Sequence, residues 1–184
     1  MKIVQTPIQG LMIVETESKT DHRGAFSRFY CQDDLQKIIG GSRKIVQINH
    51  SRTHAVGAVR GFHYQHSPHA EMKLIRCIKG KVWDVVVDLR SDSPTFLSWY
   101  AEELSSSNKR MMIVPEGCAH GFQVLEEDSE LLYLHTEFYT PSSEGGIQPT
   151  DPALAISWPL SIQDLSGRDR NHPLLTSDFA GLIV

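Results

Sequence analysis

The chain has 184 residues, of which 40% are apolar and 22% charged, with a formal net charge of −4. That length supports one well-buried core, taken as a single domain over residues 1–184, and the acidic balance excludes a basic field for nucleic acid or an anionic membrane surface, although a local Arg/Lys cluster can still hold an anionic small molecule. Cys31, Cys77 and Cys118 are odd in number and form no CxxC pair; with no secretory pattern in "MKIVQTPIQGLMIVETE" and no run near the roughly 20 apolar residues of a membrane span, the expectation is a cytoplasmic protein with free thiols.

In chain order, "QDDLQKIIGG" predicts a helix: acidic residues come first, Leu35, Ile38 and Ile39 recur at helical spacing, and Gly40 is a stop. Strand character follows in the segment 57–65 and in "KIVQINHS", "MKLIRCIKG", "KVWDVVVDL", "RMMIVP", "HGFQVL" and "ELLYLHTEFY", short runs rich in β-branched and aromatic residues and separated by Gly, Pro, Ser and Asp. Such spacing predicts an all-β sandwich or barrel. The tail, "DPALAISWPLSIQDLSGRDRNHPLL", predicts a wrapping loop with a short helix.

Alternate residues of a strand face opposite sides. In 131–139, Leu132, Leu134, Thr136 and Phe138 share one face, and Tyr133, His135, Glu137 and Tyr139 the other. The second face suits either a polar barrel lumen or water. In 57–65, Arg60 and His63 have opposite parity, so serving one site requires a bulge, for which Gly61 is the natural place.

His63 and His120 sit inside runs that otherwise read as buried strand. "PEGCAH" (115–120) fits the PxGxxH turn of metal-binding cupins, but the HxH that should precede it is His63-Tyr64-Gln65, without its second histidine. A metal set of His63, Glu71 and His120 supplies three ligands but lacks that diagnostic spacing. The other chemistry is proton abstraction beside a carbonyl. An imidazole titrates near neutral pH and serves as base, a lysine stabilises an enolate, a tyrosine returns the proton from the opposite face, and a buried carboxylate orients the imidazole. Arg60, Lys73, His120 and Tyr133 are the neighbours His63 would need; each also has an ordinary structural role open to it.

Eight ordered segments decide the family resemblance: "DHRGAFSRF", "QINHS", "RGFHYQ", "KLIRCIKGKVWDVVVDLRSDSPTF", "LSSSNKRMMIVPEGCAHGFQVL", "YLHTEFYTPSSEGGI", "DPALAISWP" and "LSGRD". From about Gly10 to Pro173 the chain resembles the dTDP-4-dehydrorhamnose 3,5-epimerases, a group acting on nucleotide-linked 4-keto-6-deoxy sugars. The resemblance implies an all-β cupin, a jelly-roll barrel with short flanking helices, and a homodimer whose N-terminal residues cross the interface. It implies no metal or other cofactor. It assigns His63 as the base, Asp169 as its orienting carboxylate, Tyr133 as the acid and Lys73 as the enolate-stabilising cation. It gives Arg60 and His120 to the sugar and phosphate side, Arg23, Gln47, Asn49 and Tyr139 to the nucleotide, and Glu144 and Arg168 to substrate binding.

The chain departs from the family at Arg28, where glutamate is usual; a fixed cation there would face a phosphate or a different sugar substituent. Glu71 replaces a common glutamine, Leu134 and His135 a lysine and threonine, Pro149 an aromatic residue, and Arg168 a lysine. The implied catalytic set is intact. The alternatives are a 3-only or 5-only epimerase or a ketoisomerase, a metal-dependent cupin, and a non-catalytic sugar-nucleotide-binding barrel.

Overall fold

The computed structural model describes residues 1–184. Its strands, β1 to β14 in chain order, form two facing sheets and a hairpin. One sheet has the order β1 (Lys2–Gln5), β2 (Met12–Glu15), β10 (Met111–Val114), β7 (Lys73–Lys79), β12 (Ser129–His135), β5 (Gln47–Thr53). The other runs β13 (Glu144–Gly146), β6 (Ala58–Gln65), β11 (Cys118–Val124), β8 (Lys81–Asp88), β9 (Trp99–Ser105), with β14 (Asp164–Leu165) parallel to β6. β3 (Ser18–Asp21) and β4 (Gly24–Ser27) form a separate hairpin. Two sheets closing on one another in this way form the expected cupin-type jelly roll.

The central strands are apolar on both faces because both faces are covered. Ile75 and Cys77 of β7 and Leu131 of β12 enter the core between the sheets with Val82, Val86, Phe122 and Val124. Leu74 and Leu134 point the other way, where α1 (Gln32–Ile39) lays Leu35 and Ile39 over them. The outer face of the second sheet, with Phe62, Val85 and Ala119, is covered by the tail through Leu154, Trp158 and Leu182. This double burial explains the consecutive valines at 85–87 of β8, where a half-exposed strand would alternate.

The expected helix is present and ends at Ile39, with Gly40 at φ 81°. Strand 44–51 instead starts at Gln47 and continues to Thr53, and strand 130–139 stops at His135. β12 therefore presents Tyr133 and His135 to the interior, whereas Glu137 lies beyond its end and is not among the residues lining the central pocket. β1 to β4, β9, β13 and β14 carried too little periodicity to be picked from sequence. In the tail the short helix is α2 (Gly167–Arg170).

The bulge in β6 is real. His63 pairs with His120 and Arg60 with Phe122, so three residue steps on β6 oppose two on β11. Gly61 sits there at φ +125°, and a Cβ on it would lie 2.5 Å from Gly121 Cα and 2.8 Å from the His120 carbonyl oxygen. Only glycine accepts both that conformation and that approach. The extra residue brings Arg60 and His63 into one pocket despite their opposite parity.

Candidate active site

A pocket of about 290 Å³ opens between the sheets. Four imidazoles line it; His50 pairs with Glu130 on the exposed side, and the other three are each hydrogen-bonded to a carboxylate supplied by a different part of the fold.

The first pair is His63 and Asp169, Nε2 to Oδ1 at 2.7 Å. β14 runs beside β6 and delivers α2 to its flank, where Ser166 caps the helix by accepting the Asp169 N–H at 3.0 Å. The second Asp169 oxygen accepts the Gly61 N–H at 3.2 Å. Burial works against this carboxylate's charge, but the bonds from His63, Gly61 and Ser166 outweigh it and hold its pKa below the ordinary aspartate value. An ionised carboxylate only accepts, so His63 Nε2 carries the proton and Nδ1 is the nitrogen left to take one.

The second pair is His120 and Asp84, 2.7 Å apart and both buried. Burial raises the Asp84 pKa against the pull of His120. The third is His135 and Glu71, also 2.7 Å apart. Burial opposes the Glu71 charge, yet His135 and Lys73 together bring its pKa below the usual glutamate value. Lys73 is not the solvated residue its type suggests: its side chain is 10% exposed, with Nζ 3.3 Å from Glu71 Oε1 and donating to the His63 carbonyl at 3.1 Å.

Tyr133 enters from β12, with its hydroxyl 3.2 Å from Ser51 Oγ. Burial drives its pKa well above the ordinary phenol value, so it is a protonated donor. Its ring lies edge-on to His120 and stacked on His135. The mouth is a chain of polar contacts: Asn49 Nδ2 is 3.4 Å from His135 Nε2, Gln47 donates to Asn49 at 3.2 Å, and the Tyr139 N–H donates to Gln47 at 3.1 Å. The Tyr139 hydroxyl donates to Glu144 at 2.7 Å, and Arg168 pairs with the same carboxylate.

The structure thus brings His63, Asp169, Lys73, Tyr133, Arg60, His120, Asn49, Tyr139 and Glu144 to one pocket, with Gln47 and Arg168 in its rim network. It does not bring Arg23 or Arg28 there. Arg23 is exposed on the β3–β4 hairpin and paired with Asp21, and Arg28 is exposed and paired with Asp34. The metal set of His63, Glu71 and His120 is also not assembled, because the three are paired separately with Asp169, His135 and Asp84. Sequence reasoning missed the Asp84 and Ser51 contacts. Asp84 had a signal: it shares parity with the inward-facing Val82 and Val86, and an acid there needs a partner.

The model of a sequence family described as dTDP-4-dehydrorhamnose 3,5-epimerase matches residues 5–177. The dTDP-4-dehydrorhamnose 3,5-epimerase of Salmonella typhimurium is 43% identical over 176 residues, 95% of this chain and 96% of its own length. The chain belongs to the dTDP-4-dehydrorhamnose 3,5-epimerase family. It is an epimerase, an enzyme of the isomerase class. Within the family, a dTDP-4-dehydrorhamnose 3-epimerase of Streptomyces niveus is 37% identical, covering 95% of this chain and 84% of its own. The dTDP-6-deoxy-D-glucose-3,5-epimerase of Legionella pneumophila, solved with dTDP-4-keto-L-rhamnose, superposes with a TM-score of 0.88 at 40% identity, covering 94% of this chain and 92% of that one.

Proposed function

We propose that the protein inverts C3 and C5 of dTDP-4-dehydro-6-deoxyglucose in the formation of a dTDP-L-rhamnose-type deoxysugar. Both carbons flank the C4 carbonyl, so both carry acidified protons and share one enolate oxygen. His63 Nδ1 takes the proton from carbon while Asp169 steadies the imidazolium through Nε2–H. The electron pair moves onto the C4 oxygen, whose charge Lys73 stabilises from a site largely shielded from water. The Tyr133 hydroxyl protonates the carbon from the opposite face, giving the inverted centre. The observation that carries this reading is the meeting of a carboxylate-held imidazole, a buried lysine and a half-buried phenol in one pocket.

Arg60 and His120 hold the sugar and phosphate side, and Asn49, Gln47, Tyr139, Glu144 and Arg168 the nucleotide end. We further propose a cytoplasmic homodimer in which Arg23 and Arg28 of one protomer act at the mouth of its partner. The exposure of both side chains supports that role, as does Phe26, 75% exposed on the same hairpin. No helix is long and apolar enough to cross a membrane.

The test is incubation of the protein with dTDP-4-dehydro-6-deoxyglucose in deuterated water, followed by mass spectrometry and NMR. Deuterium at C3 and C5 with an L-rhamno product is expected. Label at one carbon makes it a mono-epimerase or ketoisomerase, and no label overturns the substrate assignment.

A further inference from the structure

His172 is unused by this chemistry, yet it stands against its central pair. Its Nε2 lies 3.7 Å from Asp169 Oδ1, the same oxygen that His63 Nε2 approaches at 2.7 Å. The two imidazoles meet edge to face, 5.6 Å between centroids. His172 packs against Gly146, where a Cβ would lie 2.3 Å from its ring atoms, and Gly146 is the β13 partner of His63. The Nε2 atom is shielded from solvent and has no hydrogen-bond partner. A buried nitrogen left this way is costly and calls for a partner.

One ligand atom from each of His63, Asp169 and His172 lies within 4.8 Å of the other two. Zinc–ligand bonds of about 2.0–2.2 Å set tetrahedral ligand atoms roughly 3.3 Å apart. The 2.7 Å separation would open and the 3.7 Å one close by about half an ångström each, within the reach of side-chain rotation. Two imidazoles and a carboxylate are also a donor set suited to zinc and its neighbours.

We propose that His63, Asp169 and His172 form a binding site for a divalent transition metal, zinc above all, and that filling it switches the enzyme off. An ion on His63 Nε2 displaces the proton held there. That proton moves to Nδ1 and occupies the lone pair that would receive the substrate proton. The binding half stands independently of the proposed reaction; the switching half rests on His63 being the base.

The test uses full-length protein freed of metal by chelation, as wild type, His172→Ala and Gly146→Ala. The second variant displaces the ring without deleting it, and thermal unfolding in metal-free buffer establishes that each is folded. Zn²⁺ is titrated by calorimetry and Co²⁺ by visible absorption. One ion per chain is expected in the wild type, with affinity at least tenfold weaker in both variants. Zn²⁺ should stop wild-type deuterium incorporation, and EDTA should restore it. Absence of stoichiometric binding below millimolar metal, or equal affinity in wild type and His172→Ala, overturns the site. Exchange that continues with zinc bound overturns the switch and removes His63 as the base. Metal binding by a protein that exchanges no substrate protons supports the site and counts against the proposed reaction alone.

Discussion

His63 depends on Asp169 for the direction of its free lone pair. Asp169→Asn keeps the shape but cannot hold the Nε2 proton as a carboxylate does, so turnover should fall by about 10³–10⁴ with little change in KM; steady-state kinetics check this, and an unchanged kcat removes the dyad from the mechanism. His63→Ala should all but abolish deuterium exchange while the thermal transition persists, because removal of a general base costs at least about 10²–10⁴. Tyr133→Phe separates the two proton transfers. Exchange at C3 or C5 should continue through His63 while inversion is nearly lost, and loss of both would assign Tyr133 more than the acid's role.

At the scale of the element, the β6 bulge aligns the site. Gly61 lies at its centre, and the Gly61 N–H is also a donor to Asp169. Gly61→Ala would force a Cβ onto Gly121 and the His120 carbonyl, so the bulge must shift and Arg60 and His63 part. The expected result is a destabilisation of about 1–3 kcal/mol and a loss of activity larger than that of Arg60→Ala. Chemical denaturation and kcat/KM measure the two effects, and a stable, active Gly61→Ala protein would mean that the bulge does not set the alignment. β12 shows the same dependence on element geometry: it ends at His135, so the helpful parity of Tyr133 and His135 does not extend to Glu137.

At the scale of the whole molecule, Asp88 ties distant segments together. It pairs with Arg90, which also donates to the Gln9 carbonyl, while Ser93 and Thr95 donate to the same carboxylate. Arg90 and Leu182 form a bridge that anchors the chain's end. Burial opposes the Asp88 charge, but these donors hold its pKa at about 2 against an ordinary 3.8. A folded-state value below the unfolded one stabilises the protein above the unfolded pKa, and the contribution fades as pH falls through the folded value. Asp88 therefore contributes about 2 kcal/mol that is present above roughly pH 4 and lost toward pH 2. Asp88→Asn should remove that part of the acid limb, measured by urea unfolding between pH 2 and 6; an unaltered slope would mean that the network carries no net stability.

The all-β class, the helix at 32–39 and the central strands were legible in the sequence because apolar periodicity and turn residues are local signals. The need for a bulge at Gly61 was legible too, because side-chain parity in a strand is fixed by the pleat. Eight ordered motifs were enough for the family. Strands β1 to β4, β13 and β14 were not legible, since two to four residues carry little periodicity, and nor was β9, whose "WYAEELS" does not alternate. The pairing of charges was also hidden: Asp84 with His120, Glu71 with both Lys73 and His135, and His172 beside Asp169 join residues up to 64 positions apart. Composition supplies the charges, but only strand register and the path of the tail decide which of them share one water-poor pocket, and there proximity sets both protonation and chemistry.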